Sequence, residues 1–145
     1  MKHADGPIIV EKTFETSINA VWSALTDLDE MKQWFFENIP AFAPAVGFET
    51  AFAVHSGDRI FTHLWKVTEV ILHQKITYNW KYLEYPGDSF VTFEFTEEGN
   101  QVKRKLTLDV VEDFRDDVPE FTRESCVEGW EYFLGKDLRK LLKVK

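Results

Sequence analysis

The sequence predicts an α+β fold in which an antiparallel sheet of about six strands packs against a long C-terminal helix. Over residues 48–111, apolar residues recur at every second position, which is the period of a strand with one buried face. On either side of this region, they recur with the period of a helix. Because the helices are separated from the main run of strands, the pattern favours α+β over a parallel α/β fold.

The composition is that of a folded globular domain that is rich in aromatic rings. The chain has 145 residues, of which 44% are hydrophobic and 29% charged, so it can bury a core without disulfides or metals. We find no internal repeat, linker or change in composition and therefore expect a single domain over residues 1–145. Aromatic residues make up 15% of the chain, and such rings either fill a core or line a cavity.

The charge of the chain argues against two classes of partner. A formal net charge of -8 disfavours nucleic acid and anionic membrane surfaces, since both require a basic binding face. No apolar run approaches the roughly 18 residues of a membrane span, and residues 1–5 do not resemble a signal peptide. We therefore expect a cytoplasmic protein that is a monomer or a homodimer.

The N-terminal region predicts one strand and two short helices. Residues 8–15 are rich in β-forming residues and should form the first strand. Ser17 is a good N-cap for a helix whose apolar residues recur at i, i+3, i+4 and i+7. These residues are Ile18, Val21, Trp22 and Leu25. After a short acidic break, we expect Asp29 to cap a second helix. Its apolar face consists of Met31, Trp34 and Phe35.

Five further strands follow, and short turns separate them. We predict these strands at residues 48–55, 59–70, 75–82, 89–96 and 101–111. Glycine-containing turn segments lie at residues 56–58, 86–88 and 97–100. Because short turns join consecutive strands, the sheet should be antiparallel, with one face buried and the other in water.

The last predicted element is a long amphipathic helix over residues 119–143, and its first turn tolerates Pro119. Its apolar stripe consists of Trp130, Phe133, Leu134, Leu138 and Leu141. Asp137 falls inside this stripe, so it reaches water, has a partner such as an arginine, or faces a wet cavity. Cys126 is the single cysteine and cannot form an intrachain disulfide. We expect it to be a buried, unreactive thiol.

Of the four histidines, only His63 lies on the predicted inward face of a strand. We expect His3 in a frayed terminus, His73 in a turn and His55 at the end of a strand. His63 is then either a hydrogen-bonding or acid-base group in a pocket, or a core histidine satisfied by a carbonyl or a tyrosine hydroxyl.

Motifs for metal or cofactor chemistry are absent from the sequence. It has no cluster of histidine and cysteine with zinc spacing, no glycine-rich phosphate loop and no Gly-x-Ser-x-Gly turn. We therefore expect no metal and no cofactor, and we assign no catalytic residue.

Four segments in a fixed order carry a resemblance to a known family. They are AVWSALTDLDEMKQWF, KVTEVILHQKITYNW, SFVTFEFTEEGNQVKRKLTL and GWEYFLGKDLRKLL. Together they resemble the helix-grip domains of the START-like (SRPBCC) superfamily. Within it, the chain is most similar to proteins related to the C-terminal domain of the Hsp90 ATPase activator homologue (AHSA1). Residues 42–55 depart from the pattern, since they lack the Gly-Gly pair common at the start of the second strand.

The resemblance implies a sheet that wraps around the long helix and leaves a cavity for a lipid, polyketide, hormone or other apolar molecule. Many such relatives bind without catalysis, and the fold alone does not decide the function. We expect non-catalytic binding of an apolar or amphipathic small molecule. One alternative is a module that interacts with a chaperone, as the Hsp90 co-chaperones do. The other is a cyclase- or hydrolase-like enzyme that uses the same cavity.

For the binding hypothesis, we expect a cavity of roughly 300 Å³ or more between the sheet and the last helix. Its predicted lining residues are Trp34, Phe35, His63, Trp65, Tyr78, Trp80, Phe93 and Trp130. The hydroxyls of Tyr78 and Tyr82 are expected to need partners, which a ligand can supply. Of the two N-terminal tryptophans, we expect Trp22 to be core packing and Trp34 to be a gate at the cavity mouth.

Overall fold

A six-stranded antiparallel sheet is the frame of the structure, which is a computed structural model that describes residues 1–134. The strands are β1 (Ile8–Phe14), β2 (Glu49–Ser56), β3 (Arg59–Ile71), β4 (Lys75–Tyr82), β5 (Asp88–Glu98) and β6 (Gln101–Glu112). Their order in the sheet is β1-β6-β5-β4-β3-β2. The last five strands form a meander, and β1 pairs with the end of it through β6.

Three α-helices accompany the sheet: α1 (Ile18–Thr26), α2 (Leu28–Trp34) and α3 (Arg123–Tyr132). Two short 3-10 helices lie at His3–Asp5 and Pro119–Phe121. This α+β arrangement is the helix-grip fold that the sequence predicts. No helix within residues 1–134 is long and apolar enough to cross a membrane.

The junction of α1 and α2 corrects the predicted helix cap. Ser17 caps α1 as expected, since its Oγ accepts a hydrogen bond from the Ala20 N–H at 3.1 Å. The cap of α2 is Asp27, not Asp29, because Asp27 Oδ2 accepts from the Glu30 N–H at 3.2 Å. Asp27 also ends α1, since its own N–H donates to a carbonyl of that helix. A single residue therefore serves both helices, and the break between them is shorter than predicted.

The start of the C-terminal helix is a second correction. We predicted the helix from Pro119, but the first three residues form a separate 3-10 turn and α3 begins at Arg123. Thr122 has an extended backbone, and its Oγ1 accepts from the Ser125 N–H at 3.2 Å. This cap fixes the start of the helix after Thr122. The predictions for Leu138, Leu141 and Asp137 lie outside the described residues.

Strand register places the inward rings of β3 and β4 directly opposite one another. The cross-strand pairs are His63 with Tyr82, Trp65 with Trp80, and Val67 with Tyr78. Beyond Val67 the register shifts by a β-bulge, which bends the strand and increases its twist. Two of these three pairs are aromatic on both strands, so a continuous layer of rings covers the inner face of β3 and β4 before the bulge.

Two other histidines, His73 and His3, make defined contacts away from the inner face of the sheet. Trp22 packs edge-on against His73 and Phe95, with ring centroids 5.9 Å and 5.7 Å away, so it holds α1 on the sheet as expected. His73 lies in the β3–β4 turn with a positive φ. The prediction that His3 is frayed is wrong, because its N–H donates to Asp113 Oδ1 at 2.7 Å and its ring Nδ1 bonds to the Val110 carbonyl.

Candidate functional site

A cavity of about 290 Å³ lies between the inner face of the sheet and α3. The largest group in its lining is aromatic and consists of Phe36, Phe61, Trp80, Tyr82, Phe114, Phe121, Trp130 and Phe133. Val54, Leu108 and Met1 add aliphatic surface. The polar side chains in the lining are Ser56, His63, Ser89, Glu120 and Cys126. The cavity therefore combines a large apolar surface with a few hydrogen-bonding groups, as small-molecule sites do.

Three of the eight predicted lining residues border this cavity, namely His63, Trp80 and Trp130. The remaining five, Trp34, Phe35, Trp65, Tyr78 and Phe93, are buried in the adjoining core. Phe35 lies at the centre of this ring cluster, with centroids 5.4 Å from Trp65 and 5.7 Å from Trp130. The five residues thus support the rings that form the wall.

Trp34 lies in the core and does not line the cavity, which corrects its predicted position at the cavity mouth. Its side chain is fully buried, and its Nε1–H donates to the Ala24 carbonyl at 2.6 Å. It stacks on Phe35 with a centroid distance of 4.6 Å. The next ring in the sequence, Phe36, reaches the cavity instead. Since α2 ends at Trp34, the following residues leave the helical spacing on which the prediction depended.

Sequence reasoning missed the wall formed by Phe114 and Phe121. These rings lie 5.4 Å apart, and Phe121 also contacts Phe61 at 5.4 Å. Between them lies an acidic segment, residues 115–120, yet both rings are buried. The available signal was the spacing of Phe114, Val118 and Phe121, which places apolar residues at i, i+4 and i+7 within the acidic run.

His63 is the buried titratable group of the cavity wall. It is 5% exposed, and its Nδ1 lies 3.0 Å from the Phe61 carbonyl oxygen. Because a carbonyl can only accept, Nδ1 carries the hydrogen. Burial lowers the pKa of His63 to about 4, against a weaker opposing effect of this hydrogen bond. The ring is therefore neutral near pH 7, and Nε2 keeps its lone pair.

Tyr82 and Trp80 form a hydrogen-bonded pair at the same wall. The Trp80 Nε1–H donates to the Tyr82 hydroxyl oxygen at 2.9 Å. Burial raises the pKa of Tyr82 well above its usual value, so the hydroxyl stays protonated. Ser89 is also satisfied, because its Oγ donates to the Trp80 carbonyl at 2.7 Å.

A second polar group lies where the cavity meets the 3-10 helix before α3. The Ser56 hydroxyl donates to Glu120 Oε2 at 2.7 Å, and this bond holds the pKa of Glu120 below its usual value. Arg59 Nη1 lies 3.4 Å from the same oxygen. Cys126 Sγ lies 3.6 Å from the Glu120 carbonyl, and burial raises its pKa to about 11. The sulfur is thus a thiol near neutral pH on a partly buried side chain, and its low reactivity stays a prediction.

The protonation states favour hydrogen bonding over proton transfer in this cavity. General acid-base catalysis works best when the pKa of the group is near the working pH, and His63, Tyr82 and Cys126 are all shifted away from neutrality. Within residues 1–134, no group of three or more histidine, cysteine, aspartate or glutamate side chains could hold a metal ion.

The outer face of the sheet carries a second, more polar depression of about 500 Å³ on β2, β3 and β4. Its lining is Glu49, Thr50, Ala51, Leu64, Trp65, Lys66, Asn79 and Lys81. Lys66 and Lys81 are exposed. Few of the side chains that line this groove are apolar, so it fits a protein surface better than a small apolar ligand.

The comparison with protein families finds one match that spans most of the chain. Residues 15–143 match the family described as "Activator of Hsp90 ATPase homolog 1-like protein". No curated protein matches the chain.

Solved structures with the same fold are similar to the chain over nearly its whole length. Mll3558 from Rhizobium loti has a TM-score of 0.80 at 20% identity, covering 94% of this chain and 96% of that one. PFC0360w, an HSP90 activator from Plasmodium falciparum, has a TM-score of 0.75 at 22% identity, covering 97% and 98%. DynU16, a protein of the dynemicin biosynthetic locus, has a TM-score of 0.73 at 21% identity, covering 93% and 46%. At these identities, the likeness shows the fold.

Proposed function

The chain belongs to the family of activator of Hsp90 ATPase homolog 1-like proteins, and on that premise we propose that it binds an apolar or amphipathic small molecule without catalysing a reaction. The observation that carries this proposal is the ring-lined cavity of about 290 Å³ under α3. Its size lies near the lower end of the range for small-molecule sites. We therefore propose a ligand with about two fused rings.

Gly129 supplies a direct test of this proposal. It lines the cavity, and a Cβ atom built on it would meet no other atom within 4 Å. We therefore expect a leucine at this position to extend into the cavity that Gly129 lines. An alanine would add one methyl group and leave most of the volume open. Gly129→Leu is therefore the variant that fills the cavity, and Gly129→Ala is its matched control at the same position.

The experiment is a titration of ¹⁵N-labelled protein with naphthalene, followed by the amide and indole signals in NMR. We expect saturable shifts centred on Gly129 and on the indole N–H of Trp80. The Gly129→Ala variant should keep this binding, and folded Gly129→Leu should lose it. Equal binding by both variants, or no binding by the wild type, would contradict the proposed function.

A chaperone partner is the second candidate, and two comparisons favour it. The description of the matching family names the activator of the Hsp90 ATPase. The similar structure from Plasmodium falciparum is described as an HSP90 activator. The groove on the outer face, with Lys66 and Lys81, is the surface we assign to this interaction.

The test for this candidate is the ATPase rate of purified Hsp90 with and without the protein. Stimulation that is lost in the double variant Lys66→Glu with Lys81→Glu would support the chaperone function. The control is Lys2→Glu with Lys32→Glu, which reverses two exposed charges away from this groove. An unchanged rate with the wild-type protein would exclude stimulation as its function.

A further inference from the structure

His63 and Tyr82 offer complementary hydrogen-bonding atoms at one point of the cavity wall. They are direct cross-strand partners on β3 and β4, and both line the cavity. Their ring centroids lie 4.9 Å apart at an interplanar angle of 79°. This edge-on arrangement brings two polar side chains together on a wall in which aromatic rings predominate.

Nε2 of His63 is an acceptor that the described residues leave without a donor. The ring is neutral and its hydrogen is on Nδ1, which the Phe61 carbonyl fixes. Phe36, Phe52 and Trp80 surround the imidazole at centroid distances of 5.0 Å, 4.9 Å and 5.3 Å. An acceptor in the lining of an apolar cavity gains a hydrogen bond when a donor binds there, so a ligand that donates a hydrogen bond to Nε2 would be favoured.

Tyr82 supplies the donor beside it. Its oxygen already accepts from Trp80 Nε1–H, and its own O–H has no acceptor among residues 1–134. A group that both donates and accepts would satisfy the two side chains together. A hydroxyl does so with one oxygen, since its hydrogen can point to His63 Nε2 while its lone pair accepts from Tyr82. A ketone or an ether could use only the tyrosine.

The surrounding charges disfavour an anionic group at this point. Glu120 lines the cavity, and the carboxylate of Glu84 acts on His63 electrostatically. Met1 also lines the cavity, and its ammonium group donates to the Phe121 carbonyl at 2.6 Å and keeps its positive charge. A ligand carboxylate beside His63 would thus meet the lone pair of Nε2, which has no hydrogen to donate, because the ring hydrogen is on Nδ1.

We propose that the natural ligand carries a neutral hydroxyl, as a phenol or a cyclic alcohol does, which donates to His63 Nε2 and accepts from the Tyr82 O–H. This inference rests on the proposed binding function and specifies its ligand class. The rings of the cavity would then enclose the carbon skeleton, and the two polar side chains would select its single polar end.

The test compares 2-naphthol, 2-methoxynaphthalene and naphthalene by the same NMR titration. The wild type should bind 2-naphthol about three- to tenfold more tightly than the ether, which is the range of one net hydrogen bond. His63→Leu should reduce that ratio to about one while still binding naphthalene. Tyr82→Phe should lower the affinity for 2-naphthol and for the ether alike, because both accept from the tyrosine. His55→Leu, at an exposed position on β2, is the control and should keep the wild-type ratio.

The outcomes separate the two claims. If naphthalene itself does not bind, the proposed binding function fails. If naphthalene binds but the wild type does not distinguish 2-naphthol from the ether, the hydroxyl inference is wrong and the binding function stands. That second result needs no variant, so it decides the question even where His63→Leu does not fold.

Discussion

Gly87 lies directly against the ring of Phe114. A Cβ atom at Gly87 would come within 2.7 Å of Phe114 Cγ and 2.8 Å of Cε1, distances far inside van der Waals contact. Gly87 also has a φ of +123°, which side chains rarely adopt. The turn before β5 and one wall of the cavity are therefore coupled through this contact.

The first prediction is that Gly87→Ala lowers the free energy of unfolding by about 2 to 3 kcal/mol, because it combines overpacking with backbone strain. Gly57→Ala is the control, since Gly57 has a φ of +60° but open space around its Cβ position. Gly57→Ala should lower the free energy of unfolding by only about 1 kcal/mol, which is the strain of an alanine at a positive φ. Urea unfolding measures both values. Equal losses of stability in the two variants would contradict the prediction, since they would show that the ring of Phe114 moves aside at no cost.

The second prediction is that an alanine at another glycine position raises the free energy of unfolding instead of lowering it. Gly129 lies inside α3 with open space around its Cβ position, so Gly129→Ala should stabilise the protein by about 0.5 to 1 kcal/mol through helix propensity. Thermal unfolding followed by circular dichroism is the measurement. Gly99→Ala, in a turn with a φ of +65°, should instead destabilise. A loss of stability in Gly129→Ala would mean that the space beside it is filled.

The third prediction is a pH dependence that His63 causes. The folded protein lowers the pKa of His63 from 6.5 to about 4, so between these values the unfolded chain binds more protons than the folded one. Stability should therefore fall as the pH drops from 6.5 to 4, by about 3 kcal/mol from this group. Below pH 4 this contribution stays constant, because both states are then protonated.

Urea unfolding of the wild type and of His63→Leu between pH 8 and pH 4 isolates the effect of the histidine. The variant should show a flatter curve over this window, since it retains the carboxylates but not the imidazole. Parallel curves for the two proteins would show that His63 is protonated as easily in the folded state as in the unfolded one.

The fourth prediction separates core support from the cavity wall. Trp34→Phe removes the hydrogen bond to the Ala24 carbonyl and part of a buried ring, so it should destabilise by about 2 to 4 kcal/mol. The affinity for naphthalene should stay within about twofold, because Trp34 does not line the cavity. Trp80→Phe, within the lining, should change that affinity by more. A large affinity loss in Trp34→Phe would restore the gate hypothesis.

The sequence predicted the sheet well because its signal is local. The bounds of β4, at Lys75–Tyr82, agree with the prediction to the residue, since alternation and turns mark both ends. Caps were harder to predict: Asp27 and Asp29 are equally good acceptors in a four-residue break, and only the packing of α1 against α2 distinguishes them. Likewise, Pro119 and Thr122 can each begin a helix, and the 3-10 turn between them cannot be derived from spacing alone.

The site was harder to predict because its walls depend on distances between elements. Trp34 and Phe36 are two positions apart, yet one is core and the other reaches the cavity. The pairing of His63 with Tyr82 followed from the predicted strands only once their register was known. The alternation of apolar residues predicts which rings point inward. It does not predict which of these rings border the cavity, because that depends on the position of α3.

The central claim is that the space under α3 is the binding site, and a crystal structure with 2-naphthol tests it most directly. We expect the rings of the ligand in the cavity against Trp80 and Trp130, with its oxygen within about 3.2 Å of His63 Nε2 and Tyr82 Oη. A cavity filled by protein side chains, or 2-naphthol bound in the groove on the outer face of the sheet instead, would contradict the account.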